Sequence, residues 1–350
     1  MATARAFFTA TLLSDGRVLI AGGMPVIGIG RSATSAVEIF DPKTRTFVTA
    51  ASMPIGRAGH TATLLQSGKV LVVGGYTEID NDALTNVDIY DPASDTWSSG
   101  PRLQWGRTQH AAVLLNDGRV LITGGASVPA RGISPGGATA ATLADEIYDP
   151  RTDAWSVGAM PIFNRPVEPT ATLLLDGRVL VVGGQYMWNS TEEALERPEI
   201  YNSDDNRWSP AAPETRSGAR QFQTATLLPD GRVLMVGGMY DLNPVGYTAS
   251  FDPSNDSWTQ LANLNEPRCG HGAALLHSGR LIAVGSRCWA QIGSSVEEFD
   301  VAANRWFIVS GFAAPWGNMQ VVALADGSVL AVGGEDSQGA TALAELFSPN

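Results

Sequence analysis

Three of the four histidines in this 350-residue chain share one position of a repeating phrase, eight residues before the glycine of an Asp-Gly or Ser-Gly pair. They are His60, His110 and His271, and the other copies of the phrase hold Phe8, Pro169, Gln223 and Met319 there. Neutral imidazole is a common metal ligand, and histidine can also act as a general acid or base near neutral pH. Two hypotheses therefore arise from these positions, a metal site and acid–base catalysis.

A carboxylate stands next to the histidine position in one copy only. Glu168 precedes that position, where the other copies hold Phe7, Gly59, Gln109, Phe222, Gly270 and Asn318. In a pocket, such a carboxylate can anchor a polar ligand or act as a general base. Near Arg107 and Arg165 it can instead form a salt bridge. If the chain is an enzyme, the acid–base candidates are Glu168 with His110 or His271.

Arginine recurs eleven residues before the same glycines. The positions are Arg5, Arg57, Arg107, Arg220 and Arg268, with Arg165 one residue early in the fourth copy and Trp316 in the seventh. Guanidinium groups gathered at one end of the repeats could bind a carboxylate, sulfate or phosphate. Ion pairs between repeats would explain the same pattern. We expect a structural role for most of these arginines and ligand binding for one or two, with Arg107 and Arg268 as the candidates.

Both cysteines, Cys269 and Cys288, fall in a copy of the phrase that departs from the others. This copy has Ser286 where the related stretches have a second glycine, and it adds Trp289. A turn at Ser278-Gly279 sets a hairpin register that places Cys269 directly opposite Cys288. The sequence therefore predicts a cross-strand disulfide at the end of a hairpin, with two reduced thiols that pack together as the alternative.

Composition limits the classes of function. The chain has 35 acidic and 23 basic residues, a net charge of −12, which argues against a general nucleic-acid binder. No run of about 18 apolar residues suggests a membrane span, and the first residues lack the apolar core of a signal peptide. Two cysteines cannot supply a metal site of the CxxC…CxxC kind. We predict no cofactor, no nucleic-acid partner and no membrane partner.

The candidate residues are positioned by a repeat that returns seven times. Copies include "TATLLSDGRVLIAGG" (9–23), "TATLLQSGKVLVVGG" (61–75) and "TATLLPDGRVLMVGG" (224–238). Each predicts two strands around a two-residue turn, in which Asp-Gly or Ser-Gly supplies the positive φ angles. A second phrase such as "VDIYDPASDTW" (87–97) follows the first six copies and predicts another hairpin with an aromatic outer strand. The unit is four strands in roughly 50 residues.

Glycine pairs and outer-strand aromatics carry a resemblance to kelch repeats over nearly the whole chain. The glycine pairs are Gly22-Gly23, Gly74-Gly75, Gly124-Gly125, Gly183-Gly184, Gly237-Gly238 and Gly333-Gly334, and the aromatics are Phe47, Trp97, Trp155, Trp208, Trp258 and Trp306. The resemblance implies an all-β fold, a single seven-bladed kelch β-propeller over residues 1–350 with four-stranded antiparallel blades. The predicted blades are 5–49, 57–98, 107–157, 165–209, 220–260, 268–308 and 318–347. The last lacks an aromatic outer strand, so it is either three-stranded or completed from elsewhere.

The same resemblance places two sets of loops on one face, here called the upper face: the loops after the glycine pairs and those entering the innermost strands. Radial blades point inner-strand side chains between neighbours, so the histidines need not converge on the axis and we predict no metal site. Large aromatic residues gather in the upper-face loops, where they suit ligand binding; the alternative is that they cover gaps between blades. The predicted binding residues are Trp105, Arg107, Phe163, Glu168, Tyr186, Trp188, Tyr240, Arg268, Trp289 and Trp316.

These residues favour a recognition module that binds a ligand, either a carbohydrate, especially an acidic one, or a segment of a partner protein, on the upper face around the channel. The alternative is a propeller-based enzyme, an isomerase, lyase or hydrolase of a sugar or small metabolite. A third hypothesis is one domain of a longer protein. We expect a monomer. Localisation follows the cysteines: extracellular or periplasmic if the disulfide forms, and cytoplasmic if the lack of a signal peptide is genuine.

The phrase "LLPDGRV" also resembles the propeller of galactose-oxidase-like copper radical enzymes. By that resemblance a Tyr-His pair leads into one innermost strand. This chain has Gly59-His60, Gln109-His110 and Gly270-His271 at the corresponding places. Because the tyrosine is missing, we do not expect copper radical chemistry.

Overall fold

The computed structural model describes residues 1–26, 31–78, 83–127, 144–163, 167–184, 197–214, 220–240, 243–288, 291–311 and 315–348. These residues form 31 β-strands and no α-helix. Accordingly, no helix in this part of the chain is long and apolar enough to cross a membrane. The predicted all-β fold is confirmed: the strands form seven antiparallel blades of a propeller.

The first three blades each contain four strands in sequential order. The first contains β1 (Thr9–Leu12), β2 (Val18–Ala21), β3 (Val37–Asp41) and β4 (Thr46–Ala50). The second contains β5 (Thr61–Leu64), β6 (Val70–Val73), β7 (Val87–Asp91) and β8 (Thr96–Ser99). The third contains β9 (Ala111–Leu114), β10 (Val120–Thr123), β11 (Glu146–Asp149) and β12 (Ala154–Val157).

Later blades add short hairpins to this plan. The fourth contains β13 (Thr170–Leu173), β14 (Val179–Val182), β15 (Glu199–Asn202) and β16 (Arg207–Pro210). The fifth contains β17 (Thr224–Leu227), β18 (Val233–Val236), β21 (Thr248–Asp252) and β22 (Ser257–Gln260), with the hairpin β19 (Met239–Tyr240) and β20 (Asn243–Pro244). The sixth contains β23 (Gly272–Leu275), β24 (Leu281–Cys288), β25 (Gln291–Asp300) and β26 (Arg305–Gly311). The seventh contains β27 (Gln320–Ala323), β28 (Val329–Val332) and β31 (Ala344–Phe347), with the hairpin β29 (Glu335–Asp336) and β30 (Gly339–Ala340).

The ring closes between the seventh and first blades. Among the described residues the seventh blade is a three-stranded sheet, one of the two outcomes that the sequence predicted. Its side chains Leu330 and Val332 pack in one buried cluster with Val18 and Ile20 of the first blade. The backbone N–H of Gly334 also donates to the carbonyl of Arg5, at 2.8 Å. Closure therefore rests on side-chain packing and a backbone hydrogen bond between these two blades.

The hydrophobic core is divided into clusters that lie between neighbouring blades. The second strand is fully buried in six blades, as the unbroken apolar sequence of β6, "VLVV", requires, and in the sixth blade the longer β24 is buried except at Arg287. One cluster joins Leu71 and Val73 of the second blade to Val120 and Ile122 of the third. A single blade has no partner for either apolar face, so the blades are stable only when stacked around an axis.

The inner hairpin turns differ from the sequence prediction by one residue. In the first blade Leu13 donates its N–H to Arg17 O, and Gly16 donates back to Leu13 O, so the loop contains three residues. Gly16 has φ 88° and Asp15 does not have a positive φ. This is a type I turn with a glycine bulge, not the predicted two-residue turn. The aspartate serves another purpose, since its carboxylate accepts hydrogen bonds from the N–H and Nε of Arg17.

Candidate functional site

Seven residues, one from each blade, form a ring around the propeller axis just before the inner strands. This central ring consists of Phe7, Gly59, Gln109, Glu168, Phe222, Gly270 and Asn318, with φ angles between 51° and 62°. Backbone hydrogen bonds of 2.7–3.2 Å connect five of the seven neighbouring pairs, for example from Gln109 N to Gly59 O and from Glu168 N to Gln109 O. The ring therefore ties the blades together at the axis.

Five members of the central ring carry a side chain although their φ angles are positive. This backbone region costs about 1–2 kcal/mol for a residue with a Cβ and little for glycine. The second and sixth blades use glycine, as the backbone alone would favour. The other five blades carry Phe7, Gln109, Glu168, Phe222 and Asn318 in the same conformation. Such strain is often found at binding sites, so these five side chains are candidate functional groups.

A cavity of about 350 Å³ lies at this ring. Its lining residues are Phe7, Gln109, Glu168, Phe222, Met239, Cys269, Arg287, Asn318 and Glu335. They come from six of the seven blades, so the cavity must lie on the propeller axis, and we call it the mouth cavity. Its volume falls within the roughly 300–1,000 Å³ typical of ligand sites.

The polar groups of the mouth cavity form two separate sets. On one side Gln109 Nε2 donates to Glu168 Oε1 at 2.6 Å. On the other side Arg287 Nε pairs with Glu335 Oε2 at 3.1 Å, and Asn318 Nδ2 donates to Glu335 Oε1 at 3.3 Å. Arg287 therefore neutralises Glu335. Glu168 has no cationic side chain within ion-pair distance among the described residues, and Gln109 is its hydrogen-bond partner.

Burial governs the ionisation of Glu168. The side chain is partly accessible from the cavity but surrounded by protein, so desolvation raises its pKa above 4.5, against the lowering effect of the hydrogen bond from Gln109. The hydroxyl of Tyr76 lies near the mouth, and burial together with the negative charges of Glu168 and Glu335 raises its pKa. Both carboxylates therefore lie close enough to Tyr76 for their charges to act on it.

The raised pKa of Glu168 predicts a pH-dependent stability. The folded state holds this proton more tightly than the unfolded chain, so the contribution of Glu168 to the free energy of unfolding is present below pH 4.5 and is lost as pH rises through the folded-state pKa. We expect Glu168→Gln to remove that slope. The stability of the variant relative to the natural chain should rise with pH across this window in urea denaturation. A constant difference from about pH 4 to pH 8 would show that Glu168 ionises as it does in water.

The arginine series forms buried ion pairs. Arg107 Nη2 lies 3.0 Å from Glu146 Oε1, and Arg268 Nη2 lies 2.5 Å from Glu297 Oε1. The corresponding pairs are Arg5–Glu38 and Arg57–Asp88, whereas Arg220 pairs with Glu214 of the segment between the fourth and fifth blades. All five guanidinium groups are at most 1% exposed. Neither Arg107 nor Arg268 lines the mouth cavity, so neither is placed to bind a ligand there. Arg165 lies outside the described residues.

The arginine backbone has a second role, in joining the blades. In five of the pairs the second glycine donates its N–H to the arginine carbonyl of the next blade, as from Gly23 to Arg57 and from Gly75 to Arg107, at 2.8 and 2.9 Å. In the seventh blade Trp316 takes the arginine place, and its Nε1 donates to Gly333 O. Trp316 is fully buried in a cluster with Val296 and Met319. It exposes no ring face for a ligand, so we leave it out of the proposed site.

The three histidines pack between blades rather than toward the axis. Nε2 of His60, His110 and His271 lies 2.8–3.1 Å from a threonine Oγ1 of the preceding blade. Burial, then the nearby arginine charges, lower the pKa of His60 and His271 to about 3 and that of His110 well below 6.5. All three are therefore neutral at physiological pH. Within the described ranges no three His, Cys, Asp or Glu side chains form a metal-binding group.

The predicted aromatic platform is not gathered at the mouth cavity. Trp105 and Phe163 are half-buried. The backbone N–H of Trp105 donates a hydrogen bond to Glu146 Oε1, and the Arg197 guanidinium lies over the Phe163 ring, 5.1 Å from its centroid. Tyr240 is 39% exposed on the short hairpin of the fifth blade. Tyr186, Trp188 and Trp289 lie outside the described residues.

The sixth blade departs from the repeat for a structural reason. Gly285 has φ 66°, whereas Ser286 does not have a positive φ, so the second strand continues where others end. The pairs Ser286↔Gly293 and Cys288↔Gln291 extend the hairpin beyond a bulge after Val284. Ser286 N still donates to Trp316 O, at 3.2 Å, as the glycines do. The extension carries Arg287 to the mouth cavity.

A disulfide joins Cys269 and Cys288, with a Cα–Cα distance of 5.4 Å. The register that led to its prediction was wrong by one residue, because the turn has three residues: Leu275 pairs with Leu281. Arg287 N therefore donates to Cys269 O at 2.8 Å, and Cys288 is the next residue along. The bridge is diagonal rather than directly cross-strand, and it fixes the extension at the edge of the mouth cavity.

Several lining residues were not selected from the sequence. Met239, Arg287 and Glu335 each follow the second residue of the glycine-pair position, and Phe7 and Phe222 share the slot of Glu168. The signal was variation at these two slots among otherwise similar repeats. This variation led to the selection of Glu168 but not of the other lining residues, because only the structure shows that both positions of the repeat face the axis.

Comparisons with known proteins agree with this architecture. The Kelch motif model matches residues 57–104. Kelch-like protein 23 of Pongo abelii is 29% identical over 208 residues, covering 58% of this chain and 35% of that protein. The human Kelch repeat and BTB domain-containing protein 13 is 26% identical over 178 residues, covering 48% and 35%. The matched region thus spans about a third of the length of these curated relatives.

A solved structure extends the likeness to the whole chain. A fungal alcohol oxidase of the AA5 family, in complex with copper, superimposes with a TM-score of 0.78 over 99% of this chain and 74% of its own. The sequence identity is 16%, so this likeness concerns the fold alone. Together with the repeats, the seven blades and the match to the Kelch motif, it leads to one conclusion. The chain is a seven-bladed β-propeller that contains a match to the Kelch motif at residues 57–104 and is similar to Kelch-like proteins.

Proposed function

We propose that this propeller is a recognition module whose ligand, a small molecule or a side chain of a partner protein, enters the mouth cavity. One observation carries the proposal: Phe7, Gln109, Glu168, Phe222 and Asn318 hold strained positive φ angles and line one 350 Å³ cavity. The blades need only a backbone ring there, as the glycines of the second and sixth blades illustrate. The cost of these side chains is understandable if they contact a ligand.

The set of residues that line the cavity supports binding inside it rather than across the whole upper face. Of the residues selected from the sequence, Glu168 and Cys269 line the cavity, whereas Trp105, Phe163 and Tyr240 do not. Phe7 and Phe222 are half-buried and supply apolar contact area. A carbohydrate remains one candidate ligand and a peptide side chain another.

Glycine substitutions separate binding from folding. We expect the double variant Phe7→Gly and Phe222→Gly to lose the ligand, because it removes both rings and reproduces the residue of the second and sixth blades. Relief of positive-φ strain offsets part of the lost packing, so the free energy of unfolding should fall by less than about 3 kcal/mol in total. Binding is measured on glycan and peptide arrays, and stability by urea denaturation.

Two further variants make the array result decisive. Phe307→Ala removes a partly exposed ring on the outer strand of the sixth blade and should leave binding unchanged. Tyr240→Ala tests the upper face outside the cavity. Ligands retained by the double glycine variant but lost in Tyr240→Ala would move the site away from the mouth cavity and contradict the proposal.

An enzyme is the second candidate, and one observation favours it: the pKa of Glu168, within a cavity, is raised by burial, as suits a general acid or base. The other acid–base candidates do not join it. His110 and His271 bond threonines between blades and do not line the cavity. Turnover of an array-identified ligand that is lost in Glu168→Gln, with binding retained, would favour the enzyme.

A further inference from the structure

We infer that the ligand of the mouth cavity is an organic cation, with an ammonium or guanidinium group paired to Glu168 and an apolar portion against Phe7 and Phe222. The inference rests on the proposed function, because it names the chemistry of the ligand at the same site. It differs from the acidic ligand that the arginine series suggested in the sequence.

The charges of the cavity lining favour a cation. Among the described residues, the lining contains two carboxylates, Glu168 and Glu335, and one guanidinium group, that of Arg287. Arg287 and Glu335 form an ion pair at 3.1 Å and cancel each other. Glu168 accepts a hydrogen bond from Gln109, and no cationic side chain of the described residues lies within ion-pair distance of it. With Glu168 ionised the described lining carries a net charge of −1, and a bound cation would neutralise that charge.

Positive groups that could favour an anion are occupied elsewhere. The side chains of Arg5, Arg57, Arg107, Arg220 and Arg268 are buried and form ion pairs with carboxylates that do not line the mouth cavity. Arg287 is the one cationic side chain that the described lining presents, and Glu335 neutralises it. An anionic ligand would therefore meet Glu168 without compensation, at a cost in a site shielded from water.

The apolar lining suits the same ligand. Phe7 and Phe222 each expose part of a ring, and aromatic faces attract ammonium and guanidinium groups. Met239 adds a polarisable, buried side chain beside Phe222. A ligand with a charged head and an aliphatic stem can therefore contact both the carboxylate and the rings.

The experiment uses capped pentapeptides, four glycines around a central Arg, Lys, citrulline or Glu, together with methylguanidinium and benzylammonium. Citrulline has nearly the shape of arginine without its charge. Affinity is measured by calorimetry on the full chain, on Glu168→Gln, and on Glu345→Gln, which makes the same chemical change on β31 outside the cavity. Comparing peptides with free cations shows whether the ligand is a protein side chain or a small molecule.

Support requires three results together. Arg or Lys probes, or a free cation, bind; citrulline and Glu probes bind at least about tenfold more weakly; and Glu168→Gln weakens the cation about tenfold to a hundredfold while Glu345→Gln does not. Binding should also weaken as pH falls through the pKa of Glu168, because the proton competes with the ligand. Glu335 and Arg287 also line the cavity, and the charges of Glu168 and Glu335 both act on Tyr76. A flat pH profile in Glu168→Gln therefore assigns the effect to Glu168.

Other results overturn the inference. Citrulline equal to arginine, preference for the Glu probe, or no binding by any cation would each do so. The same experiment also tests the proposed function separately from the charge of the ligand. If citrulline or Glu probes bind and Phe7→Gly with Phe222→Gly abolishes that binding, the mouth is a recognition site for another chemistry. If those substitutions leave the binding unchanged, the proposed function fails as well.

Discussion

Glu146→Ala is expected to lower the free energy of unfolding by about 3–5 kcal/mol, the usual cost of removing one partner of a buried ion pair. Glu146 and Arg107 are 1% and 0% exposed. Without the carboxylate, the guanidinium keeps Ala144 O, at 2.8 Å, but loses its counter-ion in a site that water does not reach. The N–H of Gln104, 2.7 Å from Glu146 Oε2, also loses its acceptor.

Three control variants show whether the loss of stability in Glu146→Ala comes from the broken ion pair. Glu146→Gln keeps an acceptor but no charge, so it should be destabilising to a smaller degree. Replacing Arg107 by Met together with Glu146 by Leu removes both charges and should cost less than Glu146→Ala alone. Arg151→Ala breaks an exposed pair with Asp149 and should change stability far less than Glu146→Ala, because solvent screens that pair. A loss below about 1 kcal/mol in Glu146→Ala would mean that Arg107 is not committed to the blade and is available to a ligand.

Removing the disulfide, by Cys269→Ala with Cys288→Ala, is expected to lower the free energy of unfolding by up to about 3 kcal/mol. The bridge closes a segment with a sequence separation of 19, and loops of that order restrict the unfolded chain by about this amount. The value is an upper limit because β23 and β24 already form a hairpin whose pairing brings the ends together.

Reduction of the natural chain provides the matched measurement. A thiol reductant should shift its urea midpoint to that of the double alanine variant and leave the variant unchanged. The hairpin extension beyond Val284 should lose hydrogen-exchange protection first, since the bridge fixes its end. Alkylation of both thiols in the native chain without reductant would contradict the bridge.

The repeat was readable from the sequence because the same local physics is used seven times. Alternating apolar strands, a glycine in each inner turn and outer pairs such as Tyr90 with Trp97, at 4.9 Å, each depend on near neighbours. The register was predicted less well. Asp15-Gly16 suggested a two-residue turn, but only Gly16 takes a positive φ. A single sequence does not distinguish these turns, and one residue decides which side chains face each other.

The candidate site was predicted only in part, because it is made of residues far apart in the chain. Glu168 was selected as an exception in its slot, and it does line the mouth cavity. Arg107 was selected for its chemistry, but the structure places it in a buried pair with Glu146, a partner 39 residues away. Trp316 was assigned to an upper-face loop, and packing against the inner strands buries it completely.

The sequence by itself determined the architecture of this protein, because it holds six copies of a four-strand unit and a shorter seventh copy. The apolar faces of such units are buried when the units close into a ring. The tertiary structure alone decided where the chemistry lies. Closing the ring brings one residue from each blade to the axis, in a backbone conformation that holds their side chains around a single cavity. It also places Arg107 in a buried ion pair with Glu146, and among the described residues it leaves Glu168 as the carboxylate of the mouth that has no cationic partner.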